Sequence, residues 1–202
     1  QRLKAFASIN PMFGKDAISE IERCVSLGFC GIGELGPGAN GYDFQSPQFL
    51  DVLECAIHYH LPVCIHCGEP VGHIYPGKDT TSLAPIPQLL KTYPNLKLIL
   101  AHMGGGLPFY EMNPRYKELF QNVRYDTAAN PLLYDIKSIK AVISMVGSSR
   151  LLYGSDFPLL LYPSVKREMD FSLFIHDIKQ NANLTEPEWT QFMGKNLLDF
   201  IM

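Results

Sequence analysis

The stretch Leu96-Lys-Leu-Ile-Leu-Ala-His102, followed by Met103-Gly-Gly-Gly106, carries the pattern that decides the fold. A nearly unbroken apolar run ends in one polar residue, and glycines that allow the chain to turn follow at once. A strand that is apolar on both faces is typical of a parallel sheet covered by other elements on each side. We therefore predict a buried parallel strand over residues 96–102 with His102 at its C-terminal end.

Further segments share this pattern of a short apolar run closed by a polar or turn residue. They are residues 4–9, 29–35, 63–67, 123–127 and 151–156. Segments with apolar residues at helical spacing separate most of them, including residues 86–93 and 110–120. Signals of helix starts are Asp16, Ser46-Pro47, Asp135 and the capping box from Thr185 to Glu188. Strands that alternate with helices in this way predict an α/β fold built on a parallel sheet.

Two architectures satisfy the alternation, the open doubly wound sheet and the (β/α)8 TIM barrel. The predicted strands end in polar residues, which are Asn10, Glu34, His66, His102, Asp126 and Asp156. A barrel directs all such ends to one mouth, whereas an open sheet spreads them along an edge. We predict the barrel, as a single domain over residues 1–202 with C-terminal helices over residues 163–202. Because a full barrel needs about 250 residues, the first two β/α units are expected to be lacking.

The composition of the chain limits the kinds of partner that the protein is expected to bind. Of the 202 residues, 47% are apolar and 18% are charged, as in ordinary globular proteins. The net charge of -3 argues against a nucleic-acid partner, and no apolar run has the length of a membrane span. The five cysteines are an odd number in a chain without a signal region, which favours reduced thiols and a cytoplasmic location. A small-molecule substrate is the expected partner.

Three of the polar strand ends suggest metal chemistry. His66, His102 and Asp156 each follow an apolar run and precede glycine or proline within a few residues. Burying such a group without a partner is costly, and a divalent ion would account for several of them at once. Imidazoles with a carboxylate suit zinc, and also manganese or iron, and leave a position open for water. The alternative for each histidine taken alone is a residue that caps its strand by binding backbone.

The same motifs resemble a known family. The segments CIHCGEP (64–70), LILAHMGGG (98–106) and LLYGSDFP (151–158) are similar to strand motifs of the amidohydrolase superfamily. They are most similar to its amidohydrolase-related branch, which includes carboxymuconate-semialdehyde decarboxylase and pyrone-dicarboxylate lactonase. FASINP (6–11), GFCGIGELGPG (28–38) and TEPEWTQFMGKNLLDFI (185–201) also resemble segments of that branch. The resemblance covers nearly the whole chain and implies a TIM barrel with one or two divalent ions.

The resemblance also implies roles for individual residues. His66 would be a metal ligand, and Asp156 would bind the metal weakly and act as a general base on bound water. His102 would polarise the substrate or ligate a second ion. Glu34 resembles a bridging ligand of the TatD-like deoxyribonucleases, and the alternative is a carboxylate hydrogen-bonded at the barrel mouth. No strand carries the family's His-x-His pair, since His58-Tyr-His60 stands where a helix is expected to end.

Three functions remain open from the sequence. The main prediction is hydrolysis of an amide, lactone or ester-like bond by metal-activated water, with His73 and Tyr75 in the loop after residue 67 orienting the substrate. The alternative is non-oxidative decarboxylation of a small carboxylic acid at the same site. A third possibility is a non-catalytic, truncated barrel that binds a partner. Its exposed strand edges would favour a homo-oligomer.

Overall fold

A parallel sheet forms the centre of the computed structural model, which describes residues 3–72, 74–75 and 78–202. Within these residues the sheet has five strands, paired in chain order and all parallel. They are β1 (Ile32–Leu35), β2 (Val63–Ile65), β3 (Leu98–Leu100), β4 (Val123–Asp126) and β5 (Leu151–Leu152). The parallel sheet predicted from the apolar runs is thus confirmed, although each strand is shorter than its apolar run.

The strand order distinguishes the two predicted architectures. Each strand pairs with the next strand in the sequence, and the order β1-β2-β3-β4-β5 never reverses. A doubly wound sheet contains a point at which the order reverses, whereas the strands of a barrel follow one another around the wall. The arrangement is therefore of the TIM-barrel type, as predicted.

The first predicted strand, residues 4–9, is reduced to a single bridge beside β1. Ala7 pairs in parallel with Ile32, and its carbonyl accepts a hydrogen bond from the Gly33 N–H at 2.9 Å. The chain then enters a 3-10 turn at Pro11–Phe13, capped by the Asn10 side chain. This early turn explains why the segment does not extend into a longer strand.

Helices lie between the strands and after them. They are α1 (Lys15–Ser26), α2 (Pro47–His58), α3 (Ile86–Thr92), α4 (Pro114–Lys117), α5 (Asn130–Leu133), α6 (Ser138–Val146), α7 (Phe171–Asn181), α8 (Glu186–Thr190) and α9 (Asn196–Ile201). The predicted caps at Asp16 and Asp135 are shifted. Asp16 lies inside the first turn of α1, and Asp135 bonds the Lys137 N–H just before α6. No helix within the described ranges is both long and apolar enough to cross a membrane.

The predicted helix over residues 110–120 is the largest local difference. A 3-10 segment, His102–Met112, and the short helix α4 replace it. Met103 and the three following glycines have positive φ, and Pro108 lies inside the segment. These residues precede the predicted helix. Within it, Pro114 has no N–H and begins α4, and the Asn113 side chain accepts from the Arg115 N–H, so no α-helix runs continuously over residues 110–120.

The core lies mainly between the sheet and the helices. Alternate strand residues, among them Ile65, Leu100 and Tyr125, are fully buried against helix residues such as Phe49 and Phe174. The opposite face of the strands forms a smaller cluster, in which Phe200 of α9 contacts Ile99 and Leu152. The two clusters follow from the alternation of side chains along a strand. Both faces of the sheet are covered, which explains the continuous apolar character of the strands.

After β5 the chain forms turns and bends over residues 153–170, and α7, α8 and α9 follow. The predicted capping box begins α8. Thr185 accepts from the Glu188 N–H, and the Glu188 carboxylate accepts from the Thr185 N–H at 2.8 Å. Lys140 of α6 binds the same carboxylate at 2.6 Å. His58 is the last residue of α2 and His60 has φ of 56°, so both lie at a helix end rather than on a strand.

Candidate metal centre

Three polar side chains meet where β1, β2 and β3 end. Glu34 is the next-to-last residue of β1, His66 directly follows β2, and His102 follows β3 by two residues. The His66 N–H bonds the Leu35 carbonyl at 2.8 Å, which extends the β1–β2 ladder to this point. Because the strands are parallel neighbours, their C-terminal ends bring the three side chains to one edge of the sheet.

The ligand atoms of these side chains form a compact triangle. His66 Nδ1 lies 2.8 Å from Glu34 Oε1, and His102 Nε2 lies 3.1 Å from His66 Nδ1 and 3.4 Å from Glu34 Oε1. Two atoms bound to one ion lie roughly 3.0–3.4 Å apart when metal–ligand bonds are about 2.1 Å. The two distances from His102 Nε2 lie within this range and the 2.8 Å distance is slightly shorter, so Glu34, His66 and His102 form a group of suitable donors that could hold one divalent ion.

His102 is held from two sides by the end of β4. Its N–H donates to Asp126 Oδ1 at 2.9 Å, and its Nδ1 lies 3.0 Å from the Ala128 carbonyl oxygen. The same Asp126 oxygen accepts from the Ala128 N–H at 3.0 Å. A histidine whose Nδ1 donates to backbone offers Nε2 as its free ligand atom. The turn after β4 thus directs His102 Nε2 toward the cluster.

A glycine allows the strands to approach at the site. Gly33 has φ of 119°, and a Cβ at this position would lie 2.3 Å from the Cys64 carbonyl oxygen. Any side chain would push β1 away from β2, so the glycine is required by the close approach. Glu34, the next residue, depends on this approach to reach His66.

Burial and mutual contacts shift the pKa values of three groups at the site, Glu34, His102 and Asp126. Burial alone would raise the pKa of Glu34, but the bonds to His102 and His66 outweigh it and lower the value to about 2. Burial opposes a charged His102, yet its bonds to Glu34 and to the Ala128 carbonyl raise its pKa to about 9. Burial raises the pKa of Asp126 to about 6, although His102 and two backbone N–H groups act against it. Without a metal, Glu34 and His102 therefore form an ion pair.

A cavity of about 470 Å³ opens onto the cluster. Its polar lining includes Glu69, Tyr75 and Asp156 in addition to the cluster residues. Apolar side chains form another part of its wall, namely Ala129, Leu132, Leu133 and Leu159. A cavity of this size with a few convergent polar groups has the form of a small-molecule site.

The predicted site residues divide into three groups. Glu34, His66 and His102 come together in the cluster. Asp156 and Tyr75 line the same cavity, but Asp156 does not belong to the set of ligand atoms that lie within 4.8 Å of one another. Asp156 as a metal ligand therefore stays a prediction. His73 lies outside the described residues.

Sequence reasoning missed two features near the site. Glu69 lines the cavity, and its only signal was its place in the loop that follows β2. A buried ion pair between Arg150 and Glu111 was also missed, because these residues are far apart in the chain. Tyr125 donates to Glu111 Oε1 at 2.6 Å, and Arg150 Nε donates to the Val123 carbonyl at 3.0 Å. This network joins the segment after His102 to β4.

The fold and the site together define a TIM-barrel-type protein with a candidate metal centre at the C-terminal ends of its strands. The model of the Amidohydrolase family matches residues 1–196, and the chain therefore belongs to this family. The family resemblance drawn from the strand motifs is thus confirmed.

The chain is similar to curated decarboxylases of this family. It is 25% identical to 2-amino-3-carboxymuconate-6-semialdehyde decarboxylase of Dictyostelium discoideum, which it matches over 100% of its own length and 61% of the relative's. It is 26% identical to gamma-resorcylate decarboxylase of Rhizobium radiobacter, over 78% of this chain and 60% of the relative. The chain therefore spans about three fifths of the length of these relatives.

Solved structures support the fold. A dihydroxybenzoic acid decarboxylase from a Polaromonas species, solved with bound manganese and the inhibitor 2-nitroresorcinol, has a TM-score of 0.71 and 21% identity. The similarity covers 99% of this chain and 69% of that protein. The comparisons support an enzyme of the amidohydrolase family, whereas hydrolysis and zinc, predicted from the sequence, find no specific support in these relatives.

Proposed function

We propose that this chain belongs to a non-oxidative decarboxylase that acts on a small carboxylic acid at the Glu34–His66–His102 cluster. One observation carries the proposal: Asp156 lines the same cavity but lies outside the cluster. A carboxylate that is not needed to hold the ion is available for proton transfer. The decarboxylases among the relatives support this reading over the hydrolysis predicted first.

The reaction requires one proton and one broken carbon–carbon bond. The bond between the carboxylate and the substrate carbon breaks, carbon dioxide leaves, and the electron pair stays on that carbon. We propose that Asp156 supplies the proton that this carbon takes up. Leu132, Leu133 and Leu159 give the cavity an apolar wall against which the substrate can pack.

The metal would be held by Glu34, His66 and His102. A divalent ion at this position would supply positive charge to the oxygen atoms of the substrate. Zinc and manganese both accept imidazole with carboxylate ligands, and the manganese of the Polaromonas structure makes manganese the first ion to test. Tyr75, which lines the cavity, is proposed to orient the substrate. A homo-oligomer and a cytoplasmic location remain predictions.

The decisive experiment compares two reactions in the full-length protein. The protein is loaded with manganese or with zinc and assayed for carbon dioxide release from 2,6-dihydroxybenzoate, and for hydrolysis of an aromatic lactone. Asp156→Asn is expected to lower the decarboxylation rate by about 10²–10⁴-fold, the usual effect of losing a general acid. Glu118→Gln removes an exposed carboxylate outside the cavity and serves as the matched control.

The outcomes separate the three functions. Carbon dioxide release that requires metal and Asp156 supports the decarboxylase. Lactone hydrolysis without carbon dioxide release would return the assignment to a hydrolase. A protein that binds no metal and catalyses neither reaction would favour the non-catalytic barrel.

A further inference from the structure

We infer that Thr127 is a positioning residue that fixes the turn carrying Asp156, so that residues 126–128 set the separation between the proton donor and the metal cluster. This inference rests on the proposed function, in which Asp156 supplies the proton. Thr127 directly follows β4, its exposed fraction is 0%, and it does not line the cavity. Any influence of Thr127 on the reaction must therefore pass through another residue.

The Thr127 hydroxyl makes two hydrogen bonds with one residue of the turn that follows β5. It accepts from the Gly154 N–H at 3.1 Å and donates to the Gly154 carbonyl oxygen at 3.2 Å. The Thr127 N–H also donates to the Leu152 carbonyl at 3.2 Å, which continues the contact between β4 and β5 beyond the strands. A hydroxyl can donate and accept at the same time, so one side chain holds both polar groups of Gly154.

The turn after β5 is held from two sides. A Cβ added at Gly154 would lie 3.1 Å from the Ala128 nitrogen, so the turn lies close against residues 126–128. On the other side, the Tyr153 N–H donates to the Phe192 carbonyl at 3.0 Å. The backbone just before Asp156 is therefore fixed both by the end of β4 and by the C-terminal helical segment.

Asp156 leaves this turn with a left-handed backbone. Its φ is 55°, which is uncommon for residues other than glycine, and its carbonyl accepts from the Leu159 N–H at 2.8 Å. Because Asp156 lies two residues after Gly154, its direction into the cavity depends on where Gly154 is held. Misplacing a reacting group by about 1 Å can lower a rate roughly 100-fold.

The two neighbours of Thr127 hold the metal cluster. Asp126 accepts from the His102 N–H, and the Ala128 carbonyl lies 3.0 Å from His102 Nδ1. Consecutive residues of one segment thus contact a candidate metal ligand and the turn of the proposed proton donor. The two contacts use different side chains, so substitution can separate them.

Two variants of Thr127 test this assignment. Thr127→Val removes the hydroxyl and keeps the shape of the side chain, whereas Thr127→Ser keeps the hydroxyl. In the manganese-loaded full-length protein, Thr127→Val should lower kcat for 2,6-dihydroxybenzoate by about 10–100-fold, with KM and manganese affinity within about threefold of the parent. Thr127→Ser should recover kcat to within about threefold. Unchanged kcat in Thr127→Val, or manganese affinity that falls as much as kcat, would overturn the inference.

A double variant tests whether Thr127 acts through Asp156. In the Asp156→Asn background, Thr127→Val should have little further effect on kcat, because no proton donor remains to be positioned. An undiminished loss in that background would overturn the inference. Ile21→Val, in the buried face of α1 and outside the cavity lining, controls for reduced stability and should leave kcat unchanged.

Hydrogen exchange tests the contact without relying on turnover. In Thr127→Val the Gly154 N–H loses its acceptor, so in the zinc-loaded protein this amide should exchange about tenfold faster than in the parent and in Thr127→Ser, as NMR can measure. Faster exchange in a protein that releases no carbon dioxide would contradict the decarboxylase and leave the hold on the turn intact. Carbon dioxide release that requires Asp156 but is unaffected by Thr127→Val would contradict the role of Thr127 and leave the decarboxylase intact.

Discussion

The backbone N–H of His102 donates to Asp126 Oδ1 over 2.9 Å, and this contact joins the ends of two neighbouring strands. The oxygen also accepts from the Ala128 N–H, and the Ala128 carbonyl lies 3.0 Å from His102 Nδ1. The backbone and the ring of His102 are therefore both held by the end of β4. Its remaining nitrogen, Nε2, faces Glu34 and His66.

The first prediction concerns Asp126. In Asp126→Ala the His102 N–H and the Ala128 N–H lose their acceptor, so the histidine is no longer oriented. Loss of such a supporting residue usually weakens metal binding by about 10–100-fold. Competition of the protein with a chelating dye for manganese measures the effect. Asp126→Asn retains an oxygen acceptor and should recover much of the affinity, and unchanged affinity in Asp126→Ala would contradict the role.

Gly104 provides a second prediction. Its φ is 58°, and an added Cβ would lie 2.7 Å from the Tyr125 ring. Gly104→Ala is expected to lower the free energy of unfolding by about 2–4 kcal/mol, from backbone strain together with overpacking. It should also weaken metal binding, because the residue follows His102 by two positions. Thermal and urea unfolding measure the stability.

Gly106 offers the matched control. Its φ is also positive, at 90°, but an added Cβ meets nothing within 4 Å. Gly106→Ala should therefore cost only about 1 kcal/mol from backbone strain. If Gly104→Ala and Gly106→Ala lower the free energy of unfolding equally, contact with Tyr125 does not contribute to the destabilisation.

The buried Glu111–Arg150 pair leads to a third prediction. Glu111 is 3% exposed and binds both Arg150 and the Tyr125 hydroxyl. Glu111→Gln leaves the guanidinium buried without its counter-charge and is expected to destabilise the protein by about 3–5 kcal/mol. The double variant Glu111→Leu/Arg150→Met removes both charges. Its free energy of unfolding should fall by less than that of Glu111→Gln. A double variant as unstable as the sum of its single changes would rule out a coupled pair.

A fourth prediction concerns pH and the contact between α6 and α8. The bond from Lys140, followed by that from the Thr185 N–H, lowers the pKa of Glu188 below its ordinary value of 4.5. A lowered carboxylate pKa in the folded state stabilises the protein above the ordinary value, and this contribution is lost as the pH falls. Lys140→Met should therefore destabilise the protein at neutral pH by about 0.5–1 kcal/mol, since the pair is partly exposed.

The same variant should behave like the parent in acid. Once the pH lies below the lowered pKa of Glu188 in the folded parent, the carboxylate is protonated in both proteins, and the difference in unfolding free energy should vanish. Lys137→Met removes an exposed lysine just before α6 and is expected to have little effect at either pH. If the unfolding free energies of Lys140→Met and the parent differ by the same amount at every pH, the loss comes from packing rather than from charge.

Local signals predicted several elements well. The capping box at Thr185 and the proline start of α2 depend on residues that are close in sequence. The left-handed backbone from Met103 to Gly106 was not predicted, because Gly104 lies against Tyr125 and Gly105 lies against Gly68 and Leu83, all of which are distant in the sequence. Long-range contacts of this kind leave no periodic pattern.

The sequence by itself determined that apolar parallel strands end in polar residues, and this placed His66 and His102 at the mouth of a barrel. Only the tertiary structure decided which carboxylate joins them. The Glu34 carboxylate lies within 3.4 Å of both histidines although β2 stands between β1 and β3, whereas Asp156 lines the cavity outside this cluster. The pairing of the strands and the close approach at Gly33 are long-range properties, which local sequence patterns do not encode.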